Sequence, residues 1–461
     1  MAAYNKSLVD IPEGEGVHIK LAGAKGEKYV YKYVKYFRNA DGNPRNKAKA
    51  IGKFDIASGK MFPNGNYFDL YNIDPAMPDI DVWDYGYSYL VLKICQDIGL
   101  FDCLAGAFGR QRAMDIVVMA SYIIREGSAM DGIDDWQSRN YFPKYNRLMT
   151  SQSTSKIFAA ISAGHMNEFF INWVKIAMGE GAVCYDVTSI SSYAQQMPAV
   201  ERGYNRDCEN LAQFNLGMFC DESSKTPVYY NRYNGSLTDK TNLSYVLANA
   251  EAVGIKSVKM VVDGGFMDKG CLASLCGLCS AFIVGLPTHL KESQNILASH
   301  GGSVENYANA LNVPHTFCIS VDCEIQGVSG KALLYFDALS HVLLCNELSE
   351  KINRLKAELS ALKRYPNDMD GNRIRTHNEQ TTDGKVFVTF VACVIRSYLL
   401  GKLSQYLMDN STSLKKVLSQ LSNITIVSGA KGLRFTKALS KKHKQILKPF
   451  AADTAILDSL K

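Results

Sequence analysis

Tryptophan and histidine are scarce in this chain, whose 461 residues hold 3 Trp and 8 His. The His are dispersed with no HExxH or paired spacing, which removes the helical zinc-protease arrangement. Two glycine-containing stretches, GAKGEK and DGGFMDKG, match no phosphate-binding P-loop. The start, MAAYNKSLVDIPEGEG, has no apolar stretch behind its first Lys, so no secretory signal is expected. One uncharged run, Cys271 to Leu290, reaches the length of a bilayer span. It carries Gly277, Gly285 and Pro287 and ends in the β-rich SAFIVGLP, so a buried helix followed by a buried strand is expected, with no membrane partner. The 12 Cys are scattered, which predicts reduced thiols and no disulfide framework.

What is present is an ordinary globular composition. Hydrophobic residues make up 47% and charged residues 21%, which excludes disorder and collagen, and the length suggests two to four domains. The net charge of +6 gains meaning from where it lies. Residues 1–60 hold 12 Lys or Arg against 6 Asp or Glu, and residues 411–461 hold 10 against 2. Residues 61–410 hold 29 against 37, so an acidic body lies between two basic ends. Basic ends of this kind suit a polyanionic partner.

The N-terminal region alternates with period two through KYVYKYVKYFRN, turns at Asp41-Gly42-Asn43-Pro44, continues through KAKAIGKFD and turns again around Asn64-Gly65. Ten Lys or Arg fall between Lys20 and Lys53 among many Tyr, so a small basic β-meander over 1–75 is expected to touch nucleic acid. Over 76–180 the period becomes helical, in YSYLVLKICQDIGLFDCL, RAMDIVVMASYIIREG and NEFFINWVKIAM, with Ser151 to Ser155 offering caps for SKIFAAISAG. This segment is expected to be a helical DNA-binding domain. From 181 to 410 the pattern is mixed α/β. Strand AVCYDVTSI ends in Asp186, FNLGMFC and TPVYYNRY form a hairpin, LSYVLANAEAVG is a helix, and VKMVVD ends in Asp263. Short β-like pieces, HTFCISVD and GKALLYFD, lie in an inserted region of about 288–337. Residues 338–364 read as a charged amphipathic helix, KVFVTFVACVIRSYLLGKL as a core helix, and 411–461 as a basic tail.

Asp186 and Asp263 are the leading chemical candidates. Two strand-end carboxylates at one rim of a sheet can hold Mg²⁺ or Mn²⁺, and two such ions clamp the attacking and leaving oxygens of a phosphoryl displacement. Cys271, Cys276 and Cys279 give C-x4-C-x2-C on an apolar helix with no fourth ligand nearby, and are expected to be buried thiols.

YDVTSISSY, GYNRDCENLAQFNLGMF, TPVYYNRYNGSLTDKTNL and KMVVDGGF together resemble the DDE transposases of bacterial insertion sequences, in the IS-four-type branch. RIRTHNEQTTDGKVFVTFVACVIRSYL and the tail SLKKVLSQLSNITIV with LSKKHKQIL resemble the later part of the same family, so the likeness covers most of the chain. It implies an α/β ribonuclease H-like catalytic core with a β-containing insertion, preceded by the β-meander and helical domain. It also implies Mg²⁺-dependent cleavage and strand transfer at element ends, with Asp186 and Asp263 as the first two acidic ligands of two ions. Double-stranded DNA (terminal inverted repeats and target), a homodimer, and a bacterial cytoplasmic, nucleoid-associated location follow from the resemblance. Lys32, Lys35, Arg38, Lys47, Lys49, Arg206, Lys441 and Lys442 are the DNA-contact candidates.

The third carboxylate departs from the family. Its Glu belongs to a Tyr, two residues, Arg, three residues, Glu, six residues, Lys signature, yet no Tyr from Tyr335 onward has an Arg three places later. LKRYPNDMDGNRIRTHNEQTT instead passes from the region before the signature to the region after it, which implies an internal deletion near 365–373. Glu347, Glu350, Glu358 and Glu379 are the nearby acids and read as helix-face or capping residues; Glu379 and Glu358 are the weak candidates for the missing ligand. An impaired transposase is therefore expected, with a non-catalytic DNA-binding remnant as the alternative; a metal nuclease unrelated to transposition would leave the C-terminal likeness unexplained. End processing in the inserted region would need Phe317, Tyr335 or Phe336, since Trp83, Trp136 and Trp173 all precede the core.

Overall fold

The computed structural model describes residues 8–21, 27–71, 82–192, 197–203, 211–256, 259–343, 373–374, 378–429 and 432–460. Two compact units divide the chain: residues 1–82 with 426–436, and residues 83–425 with 437–461. The segments 76–180 and 181–410 thus lie almost wholly in the second unit, and the tail is divided between the two.

In the first unit, β1 (Val17–Leu21), β2 (Lys28–Arg38), β3 (Pro44–Phe54) and β4 (Met61–Pro63) form an antiparallel sheet in that order. The turn after β2 uses Gly42 at φ +78°, a left-handed conformation that glycine adopts without a Cβ penalty. The second expected turn is different. Asn64-Gly65 begins a helix, α1 (Gly65–Tyr71), because Asn64 Oδ1 accepts the Asn66 N–H at 3.0 Å while its Nδ2 donates to the Ala50 carbonyl at 2.9 Å. Val30, Ile51 and Met61 are fully buried, with Tyr67 and Tyr71 of α1 packed over them. At about 1.5–3 kcal/mol for each such side chain, this is a small core.

The short strand β5 (Val82–Asp84) runs through the unit boundary, and the second unit continues with the helices α2 (Gly86–Asp97), α3 (Leu100–Phe108), α4 (Arg110–Glu126), α5 (Ile133–Arg139), α6 (Ser151–Ala159) and α7 (Ala163–Ala177). The cap of α6 is Thr150 and not a residue of 151–155: the Ser153 N–H donates to Thr150 Oγ1 at 3.3 Å and the Thr150 N–H to Ser153 Oγ at 2.8 Å. This reciprocal pair satisfies two backbone donors, and removing such a cap costs about 1 kcal/mol.

A mixed sheet follows. The strands β6 (Ala182–Ser192), β7 (Gln213–Asp221) and β8 (Pro227–Asn234) form an antiparallel meander. After α8 (Asp239–Ala252), β9 (Lys259–Val262) returns to pair in parallel with the other side of β6. After α9 (Lys269–Leu278), β10 (Ala281–Val284) adds in parallel to β9, giving the order β10-β9-β6-β7-β8. The uncharged run from Cys271 is a helix and a strand as expected, but neither is buried throughout: β10 has only exposed and half-buried residues, Ile283 among the exposed, and Cys276 to Leu278 of α9 are exposed. The inserted region holds α10 (Lys291–His300) and one long hairpin, β11 (Thr316–Ile325) with β12 (Val328–Asp337), where shorter pieces were expected. Residues 338–343 are helical; the rest of the expected amphipathic helix and the deletion point lie outside the described residues, apart from Arg373.

The helix α11 (Glu379–Asp409) is long and apolar enough to cross a membrane by length and composition. Its Val386, Phe387, Phe390, Ile395 and Leu399 are buried instead, in contact with α4, α6 and β8. Phe387 sits at 5.1 Å from Phe169 and Phe390 at 5.3 Å from Phe170, ring centroid to centroid. Trp173 joins the same layer and donates its Nε1–H to the Pro227 carbonyl at 3.0 Å. This aromatic layer ties the helices to the edge strand β8.

Candidate functional site

Along β6 the side chains alternate: Val183, Tyr185, Val187 and Ser189 are buried, while Asp186 and Thr188 on the other face are exposed. Tyr185 packs on Phe219 and Phe266, and a Cβ at Gly217 on β7 would meet the Tyr185 ring, so the strand has one fixed register. Asp186 is mid-strand and does not end it, because β6 continues to Ser192 through residues whose backbone still pairs with β7. The rim exists because the neighbour stops: β9 ends at Val262, and Asp263 follows.

Asp263 caps a single 3-10 turn, Gly264–Phe266, and accepts the Gly265 N–H at 2.9 Å. The turn lies close against the end of β10, where a Cβ on Gly285 would stand 2.9 Å from the Gly264 nitrogen. Glycine at both places lets the two loops touch and sets where Asp263 sits. In the β6–β9 register Tyr185 faces Val262. That pair is the last of the register, and Asp186 and Asp263 are the next residue on each side, so both lie at the end where β9 stops. Both are exposed, and among the described residues neither has a Lys or Arg partner. Exposed carboxylates without cationic partners at one rim of a sheet suit a hard cation.

Nearby thiols do not compete for that role. Cys184 lies directly across from Cys220 on the same face as Asp186, and burial pushes the Cys220 thiol up to about 11, with Cys184, Cys393 and Asp186 adding to it. It stays protonated near neutral pH and offers no thiolate.

Glu379 does not join the pair. It is the first residue of α11, it accepts the Ala199 N–H at 3.0 Å, and Arg232 Nη1 lies 3.8 Å away. Arg232 is on β8, level through Leu216 with Thr188, so it stands two strands from β6, about 10 Å at ordinary strand spacing. Its Nε also donates to Asp383 Oδ1 at 2.7 Å. Burial raises the Asp383 carboxyl above its ordinary value while Arg232 pulls it down. This Arg232, Glu379 and Asp383 cluster was missed in the sequence; the four-residue spacing of the two acids on one helix was the available signal. Glu358 lies outside the described residues, as do Glu347 and Glu350. Among the described residues no three His, Cys, Asp or Glu side chains group to hold a metal ion.

No family model and no curated protein matches the chain. It is similar to a solved piggyBac transposase synaptic complex with hairpin DNA, at 12% identity over 68% of this chain and 70% of that one, with a TM-score of 0.35. A likeness of this degree leaves function to the residues themselves.

The remaining candidates fall in separate places. Lys32, Lys35, Arg38, Lys47 and Lys49 are all on β2 and β3, Lys441 and Lys442 are the exposed first residues of the helix Lys441–Leu447, and Arg206 lies outside the described residues. Within the basic tail the helix Lys441–Leu447 passes into a 3-10 turn at Lys448–Phe450. Of the three cysteines near α9, Cys271 is buried, Cys279 is half-buried and Cys276 is exposed, contrary to the expectation of three buried thiols. Phe317 faces Phe336 across the β11–β12 hairpin, next to the exposed Tyr335.

Proposed function

We propose that this chain is a DDE-type DNA transposase of a bacterial insertion sequence, with a ribonuclease H-like core that takes Mg²⁺ or Mn²⁺ at Asp186 and Asp263. The observation that supports this is the β6–β9 register, whose last pair, Tyr185 with Val262, is followed on each side by one of the two aspartates. The strand order β8-β7-β6-β9-β10, an antiparallel meander followed by two parallel strands with helical crossovers, supports the ribonuclease H-like core. The ordered motifs around YDVTSISSY and KMVVDGGF support the family.

Two exposed carboxylates free of cationic partners fit a hard divalent ion, which when bound polarises a phosphoryl oxygen and makes water a better nucleophile. The Val187 N–H holds Asp186 Oδ1 at 2.8 Å and the Gly265 N–H holds Asp263, so both are oriented before any ion arrives. The basic strands and Lys441 with Lys442 would take the phosphates of the terminal repeats and target. A homodimer in the bacterial cytoplasm, on the nucleoid, would hold both ends.

The third carboxylate limits the activity. Glu379 is committed to Arg232 and Ala199, and a site short of one ligand loses several kcal/mol of transition-state stabilisation, about three orders of magnitude in rate. The same observation favours a second reading, a non-catalytic remnant that occupies element ends. Nicking of a supercoiled plasmid carrying the element's ends, in Mg²⁺ or Mn²⁺, separates the two. The chain should nick about a thousandfold more slowly than a version with the Tyr, Arg, Glu, Lys block restored, and Asp186→Asn should abolish nicking while sparing binding. Nicking by Asp186→Asn at the unmodified rate would overturn the site assignment, and an inert chain beside an active restored version would establish the remnant.

A further inference from the structure

We infer that residues 33–38 and 44–50 form a two-stranded ribbon that enters the major groove of duplex DNA and reads base edges near its tip. The inference rests on the proposed DNA function and assigns it a specific surface. β1 pairs with β2 only from Lys28 to Lys32, and β4 pairs with β3 only from Gly52 to Phe54. Beyond those points β2 and β3 pair with each other from Tyr33–Ala48 to Arg38–Pro44, the one other backbone bond shown for these residues running from the Tyr33 N–H to the Gly16 carbonyl at 2.9 Å. The free part extends about 17 Å at ordinary strand rise. Its residues 35–38 and 41–49 are exposed, so both faces and both edges are open.

The charge on this ribbon is of one sign. Lys35, Arg38, Arg45, Lys47 and Lys49 lie on it, with Lys32 at its base, and the single acid from residue 28 to 54 is Asp41 in the turn. The register places Lys32 directly opposite Lys49 and Lys35 directly opposite Lys47. Like charges directly opposite destabilise a sheet. Among the described residues none of the six has an acidic partner; Lys32 and Arg38 donate only to the carbonyls of Glu15 and Gly42, both at 3.3 Å. A polyanion supplies what the ladder lacks.

Shape and tip chemistry select the duplex. A two-stranded ribbon fits the major groove, which is about 12 Å wide, and the minor groove at about 6 Å does not admit it. Next to the turn, Arg45 faces Phe37 and Asn46 faces Tyr36, and the two rings are 45% and 65% exposed. Arg pairs with the guanine edge, Asn with the adenine edge, and an apolar ring with the thymine methyl. Lysines placed only to protect a sheet edge from aggregation would need neither these rings nor Asn46.

The test uses the full chain, a labelled 30-bp mixed-sequence duplex and a salt titration. Lys35→Gln with Lys47→Gln should lower affinity about tenfold and flatten the salt slope by about 2, one per lysine that releases counterions. Methyl green, which fills the major groove, should displace the chain from the duplex, and netropsin, which fills the minor groove, should not. Arg45→Ala with Asn46→Ala should leave the melting temperature unchanged, flatten the salt slope by no more than about 1, and remove preference for the element's end over the mixed duplex. Unmodified affinity and slope in the double lysine variant, or displacement by netropsin and not by methyl green, would overturn the ribbon assignment. If the unmodified chain binds and nicks while the ribbon variants match it, only the ribbon inference fails; if the unmodified chain binds no duplex, the transposase reading fails with it.

Discussion

Single residues in this chain are placed by contacts that sequence patterns show unequally. Asp186 and Asp263 stood out because each sits in an apolar, β-branched stretch, where an acid is unusual. That both follow the last pair of the β6–β9 register depends on where β9 stops, and the Asp263 turn packs against Gly285, which is a matter of tertiary contact. Asp221, at the end of β7, carries a testable pH dependence. Burial alone would raise its carboxyl, but hydrogen bonds from Ser223, the Ser224 N–H and the Gly179 N–H outweigh it and hold the carboxyl below the ordinary value. A carboxyl lowered on folding contributes stability that is present above the unfolded value, about 3.9, and lost as pH falls through the folded one. Thermal melts should therefore fall steeply on the acid side below pH 4, and more shallowly for Asp221→Asn; identical acid limbs would refute this role.

Among the elements, the strands and helices with strict periodicity were legible and those set by a neighbour were not. β6 and α4 follow their hydrophobic alternation or helical repeat, whereas β2 is a strand as expected but its burial does not alternate, because its register with β3 shifts at Val30–Tyr31 and again at Tyr33–Lys35. The start of α1 was hidden because Asn64-Gly65 has the composition of a hairpin turn, and only the Asn64 bonds to Ala50 and Asn66 reveal a helix start. Gly384, inside α11, shows no reason for itself in sequence, since glycine weakens a helix interior by about 1 kcal/mol. In the fold its missing side chain lets α11 rest on the Phe158 carbonyl at the end of α6, where a Cβ would collide with backbone. Gly384→Ala should destabilise the chain by roughly 1–3 kcal/mol despite its better helix propensity. Urea melts should show a lower midpoint with an unchanged slope; a raised midpoint would mean that the helix contact is looser than described.

For the molecule as a whole, the net charge of +6 resolves into parts with different tasks. The first unit carries the repelling lysine ladder, the second carries two bare carboxylates at a sheet rim, and the cationic helix start at Lys441 lies in the second unit as well. The charge asymmetry was visible in the chain; which lysines face each other, and that Glu379 is already held by Arg232, required strand register and helix packing. The proposed function depends most on Asp186 and Asp263 acting as one cation site. Calorimetric titration with Mn²⁺ of the unmodified chain, Asp186→Asn and Asp263→Asn tests this directly. One Mn²⁺ site should be measured in the unmodified chain and lost in each variant, with melting temperatures preserved. Equal Mn²⁺ binding by all three proteins would contradict it.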